Sequence, residues 1–153
     1  MQNLRACLQQ LQDMRYAMLS TGFRLSQVQG LVAMRSPNDA LALVEDTLRR
    51  VEANGDLLHM PEALRVKANV LLALPEPRVD DAEACLIGSL DWSRRQGARS
   101  WELRAAVDLA MLRTSQHQTD RAREVLAPIL MEFSEGFDTA DVRAATQLLA
   151  TLP

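Results

Sequence analysis

Apolar residues recur along this chain three and four positions apart from one end to the other, and no stretch keeps the two-residue alternation of a half-buried strand. Leu103, Ala106, Val107 and Ala110 are typical, falling at i, i+3, i+4 and i+7. Gly22, Gly55, Gly97 and Gly136 each follow such a stretch, where a residue that accepts the left-handed conformation ends a helix. Pro37 and Pro61 stand where a helix can begin, and Pro75 and Pro77 mark a connector that helix cannot cross. The pattern predicts eight helices, over 3–20, 23–35, 38–54, 61–74, 79–96, 100–115, 119–134 and 139–151. Asn38 or Asp39, Asp80, Ser100, Thr119 and Thr139 are the expected side-chain caps.

The helices repeat in register. Ala40, Ala82 and Ala122 occupy equivalent positions, followed four residues on by Val44, Leu86 and Leu126 and eight on by Leu48, Leu90 and Leu130. A shorter helix with a small residue in mid-span, Gly30, Ala68 or Ala110, stands before each. Small residues there let two helices of a hairpin approach closely, while the larger ones fill the groove between hairpins. Three two-helix units of about 40 residues predict an all-α superhelix, a solenoid of antiparallel hairpins. The units span about 23–60, 61–99 and 100–138 of a single domain covering 1–153, with a lone helix 3–20 before them and a capping helix 139–151 after.

Two stretches carry a resemblance: Asp81–Leu86 with Ser93–Ala106, and Leu126–Pro128 with Phe133-Ser134-Glu135-Gly136-Phe137-Asp138-Thr139-Ala140-Asp141. They resemble tetratricopeptide-type repeats, in the slightly long variant that forms the C-terminal region of large bacterial signalling and transcription regulators. In those proteins an adenylate-cyclase-like or DNA-binding output domain precedes an ATPase module. The resemblance is strong over about 61–151 and weaker over 1–60, and it implies the fold of the tail alone. No nucleotide loop, cyclase carboxylates or DNA-reading helix is written here. Three positions depart from that pattern. His117 stands where a turn glycine is usual, so the turn is expected to be reshaped. Arg113 replaces a large apolar residue, and Ile87-Gly88 replaces a pair that is commonly polar or basic.

Composition narrows the function. Seventeen basic and twenty acidic residues give a net charge of −3, which argues against nucleic acid or an anionic membrane bound by bulk charge. No apolar run reaches the roughly 20 residues of a membrane span. Two separate cysteines, Cys7 and Cys85, and no secretory leader after Met1 point to a reducing cytoplasm.

Little in the sequence suggests chemistry. His59 and His117 have no second ligand at metal spacing and read as exposed turn residues. Cys7 and Cys85 read as small core residues. Glu76, Asp80, Asp81 and Glu83 straddle a helix start, where the dipole favours carboxylates. Arg49-Arg50, Arg94-Arg95 and Arg99 sit near helix ends, where it favours cations. Trp92 and Trp101 read as packing residues beside the Gly97 turn, and the scattered methionines as core fillers. No catalytic set, cofactor site or metal site can be assembled, so an enzyme is not expected.

A stack of helical hairpins lines its concave side with the shorter helices. Taking Gly30, Ala68 and Ala110 as anchors, the residues expected on that face are Gln27, Arg65 and Val107, then Leu31, Asn69 and Met111, with Arg24 and Arg104 a turn earlier. The mixture of arginine and apolar residues suits an acidic-apolar peptide. The sequence therefore reads as a non-catalytic protein–protein interaction module, a scaffold or sensor region of bacterial signalling machinery. The alternative is a small-molecule-responsive domain with a closed pocket, controlling an attached ATPase or output domain. Leu4, Cys7, Leu8, Leu11, Met14 and Met18 give helix 3–20 a wide apolar arc, so a homodimer contact or an upstream domain is expected there.

Overall fold

Short turns make the helices of this chain into hairpins. A computed structural model describes residues 17–55 and 57–152; the expected helix 3–20, with its dimer or domain contact, falls almost wholly outside them. Among the described residues there are seven α-helices and no strand: α1 Ala17–Ala33, α2 Pro37–Asn54, α3 Met60–Leu72, α4 Val79–Gln96, α5 Arg99–Ser115, α6 Thr119–Met131 and α7 Ala140–Thr151. A 3₁₀ turn, Leu57–His59, leads into α3. The fold is all-α, as the spacing predicts. By contact the chain divides into two units, 1–82 and 83–153, with the division inside α4.

Three of the turns share one design. At Arg35, Gly97 and His117 the backbone is left-handed, with φ of 59°, 63° and 61°. In each, two amides bond back to the preceding helix: Arg35 to Val32 and Ser36 to Leu31, Gly97 to Arg94 and Ala98 to Ser93, His117 to Thr114 and Gln118 to Arg113. This is the Schellman arrangement, which satisfies the last carbonyls of a helix. Ser36, Ala98 and Gln118 then serve as N-caps of the next helix, and their carbonyls accept from Ala40, Glu102 and Ala122. His117 thus takes the glycine's conformation itself, and the turn keeps its shape.

Because each of these helices starts two residues after its left-handed residue, Asn38, Asp39, Ser100 and Thr119 already lie within helices and do not cap them. Asp80 likewise falls in the first turn of α4. Of the expected caps, Thr139 acts as one, its Oγ1 accepting from the Val142 amide at 3.4 Å.

α1 also differs from expectation, since it runs through Gly22 without a break. Thr21, Leu25 and Val28 recur on its buried side across that position, and such packing outweighs the roughly 1 kcal/mol by which glycine disfavours a helix. Gly30 has open space where its side chain would be, so it does not mediate a close approach. Ala68 and Ala110 are fully buried, as are Ala40, Ala82 and Ala122.

In the first unit α1, α2 and α3 pack against one another around Val28, Val44, Val66 and Leu71. In the second, α5 packs on α6 and α7, burying Leu103, Leu109, Leu126 and Val142. The third of the aligned segments differs at one position. Leu130 is half-buried where Leu48 and Leu90 are buried, while Ile129 is buried like Thr47 and Ser89 at the same offset. The reason is Pro128 within α6, after which the helix ends at Met131 in i→i+3 bonds, Glu132 to Ile129 and Phe133 to Leu130.

Candidate functional site

The face expected to bind a partner is distributed over both units. In the first, Arg24 and Gln27 are buried on α1, Leu31 and Arg65 are half-buried, and Asn69 is exposed. In the second, α5 carries Arg104 and Val107, both half-exposed, and Met111, which is 56% exposed.

All three arginines of that set hold carboxylates of their own chain. Arg24 reaches across from α1 to α2, its Nε donating to Thr47 Oγ1 at 3.0 Å and its Nη2 to Asp46. Asp46 also accepts from Arg50 Nε at 2.8 Å and lies 3.5 Å from Arg49. Donation from Arg50, with the charge of Arg24 beside it, holds the Asp46 carboxyl below the ordinary aspartate range. Burial lowers the Arg24 guanidinium, with the nearby charge of Arg50 acting the same way. Arg65 grips Glu62 one turn earlier with two bonds, at 2.9 and 2.7 Å. Arg104 Nε donates to Asp141 Oδ2 on α7 at 2.7 Å.

What remains open on α5 is mixed, with Val107 and Met111 standing among Arg104, Asp108 and Thr114. Val107 and Met111 are i and i+4 neighbours on the flank of the helix that borders its buried face, Val107 half-buried one turn after Leu103 and Met111 exposed one turn further on. Met34 and Met131 are exposed as well, the latter by 84%, so these methionines are surface residues and not core fillers; Met60 is buried as expected. The exposed position of Met131 follows from the early end of α6.

The second unit also contains a cavity of about 370 Å³. It lies between the start of α5, the connector after α6 and the start of α7, with Leu103, Phe133 and Val142 as apolar walls and Arg99, Glu135 and Asp141 among its polar ones. Arg99 pairs with Glu132 across it. The Phe133–Asp141 stretch that carried the resemblance forms most of one side, but nothing in its spacing indicated a cavity.

The remaining candidates have structural partners. Asp81 is held by Arg78 at 2.7 Å, and Glu83 by Arg113 Nε at 3.2 Å. Arg94 bonds the buried Glu102 at 2.8 Å, and Arg95 lies over the Trp92 ring at 5.7 Å. Trp92, Trp101 and Cys85 are half-buried, and Cys7 lies outside the described residues. His117 is exposed, whereas His59 is half-buried because it ends the 3₁₀ turn against the start of α3. Among the described residues, no three His, Cys, Asp or Glu side chains group where a metal could be held. No described helix is long and apolar enough to cross a membrane. No known family profile matches the chain, and neither does any curated protein or solved structure.

Proposed function

We propose that this chain is a non-catalytic protein–protein interaction module of tetratricopeptide-like type, serving bacterial signalling or transcription-regulatory machinery in the cytoplasm. The observation that carries the proposal is the exposed Met111 on α5, with the half-buried Val107 one turn before it and Arg104 beside them. Apolar side chains at i and i+4, with a cation one turn away, offer a surface on which an amphipathic helix with acidic and apolar residues can lay its own anchors. Methionine suits such a surface because its unbranched thioether adapts to the partner. Leu31 and Asn69 supply the corresponding face of the first unit. Helix 3–20 would add a contact to a second copy or to an upstream domain.

Selection of helical peptides from a random display library on the whole chain tests this. Enrichment of peptides with acidic and apolar residues at helical spacing, binding in a way that Met111→Asp abolishes, is the expected result. Selected peptides indifferent to Met111→Asp and Val107→Asp would overturn it.

A second reading, a small-molecule-responsive regulatory domain, is favoured by the cavity beside α5. Its volume of about 370 Å³ reaches the lower end of ligand pockets, roughly 300–1,000 Å³, and polar and apolar groups converge on it.

A further inference from the structure

We infer that the cavity between α5 and α7 takes an amino-acid-like zwitterion with an apolar side chain; this inference rests on the small-molecule reading above. Its volume suits a metabolite more than a drug-sized molecule. Three kinds of group line it. Leu103, Phe133 and Val142 offer an apolar wall for an aliphatic or small aromatic side chain. Arg99 offers a guanidinium fork, which matches a carboxylate in two parallel bonds. Glu135 offers a carboxylate that makes no ion pair among the described residues.

The cation is already engaged, and that engagement favours a zwitterion over a simple anion. Arg99 pairs with Glu132, and its Nη1 lies 3.8 Å from Glu102, which Arg94 also holds. The side chains of Arg99 and Glu132 are 58% and 50% exposed, so the pair is weak and opens readily. A ligand carboxylate that takes Arg99 from Glu132 leaves that carboxylate uncompensated next to Glu135. A ligand ammonium restores the balance. A lone anion leaves two unpaired carboxylates at the wall, and a lone amine leaves Arg99 with Glu132. Asp141 stays with Arg104 in either case.

Two-dimensional amide NMR of the whole chain, titrated with leucine, isovalerate and isoamylamine, separates the possibilities. Leucine is expected to give saturable shifts at the amides of 99–103 and 133–142, with each single-charge analogue at least about tenfold weaker. Arg99→Gln should weaken leucine and isovalerate together, and Glu135→Gln should weaken leucine and isoamylamine together. Both are exposed positions, and an unchanged circular dichroism spectrum confirms the fold of each variant. If the acid or the amine alone binds at these amides as tightly as leucine, the zwitterion inference fails and the pocket reading stands. If none of the three shifts these amides at millimolar concentration, or shifts fall elsewhere, the pocket itself is not a site for this chemistry and both are overturned.

Discussion

Arg113 in the last turn of α5 meets Glu83 near the start of α4, with 3.2 Å between Nε and Oε1. At the other end of the same two helices Arg94 meets Glu102 at 2.8 Å, so the antiparallel hairpin is tied at both ends. Arg113 also donates from Nη1 to the Arg121 carbonyl of α6 at 3.2 Å. A charged residue at this place is thus a three-helix link where an apolar one would only pack.

Arg113→Ala is expected to lower stability by about 1–2 kcal/mol in urea denaturation, from lost bonds and lost packing of its stem. A double-mutant cycle with Glu83→Ala should return a coupling of about 1 kcal/mol. Additive single effects would show that the pair contributes nothing.

The turn residues give opposite expectations. The left-handed conformation costs an ordinary residue about 1–2 kcal/mol, which His117 now bears and Gly97 does not. His117→Gly should therefore stabilise the protein by about 0.5–1 kcal/mol, and Gly97→Ala should destabilise it by about 1–2 kcal/mol. Thermal melts of the two variants check both signs.

Ala82 and Ala122 have no exposed surface and lie where one helix enters against its neighbours. Replacing either by Leu should overpack the site at about 1–3 kcal/mol. Melting temperatures unchanged by both substitutions would contradict the aligned positions.

Asp46 makes the first unit sensitive to acid. Its folded-state pKa lies below the ordinary 3.8, so the stability it contributes is complete above that value and is lost as pH falls through the folded-state pKa. Asp46→Asn should cost about 1–3 kcal/mol at neutral pH, less than a fully buried pair because the carboxylate keeps some exposure, and leaves Arg24 uncompensated. The stability difference between native and variant should shrink steadily below pH ~4. A constant difference across that range would rule out the linkage.

Much of the fold was legible in the sequence because it depends on local periodicity. The Ala40, Ala82 and Ala122 positions, the proline connector at Pro75 and Pro77, and the starts at Pro37 and Thr139 are local signals, and each stands where the pattern puts it. Gly22 misled because tertiary packing of α1 outweighs a propensity difference of about 1 kcal/mol. The caps at Asn38 or Asp39, Ser100 and Thr119 misled because the residue directly after each left-handed position, Ser36, Ala98 or Gln118, is the N-cap and brings the next helix in earlier. The candidate face was legible only as positions. That Arg24, Arg65 and Arg104 are each held by a carboxylate depends on reach across helices or one turn along them, which spacing alone does not fix. The cavity depends on a connector, 132–139, whose path no periodicity describes.

The most direct measurement is the affinity of a display-selected helical peptide for the native chain and for Met111→Asp, by fluorescence anisotropy at equal, verified folding. Placing a carboxylate at Met111, beside Val107, should weaken binding at least about tenfold, since an unpaired charge buried on docking opposes it. Equal affinities for the two proteins would contradict the proposal that α5 binds a partner.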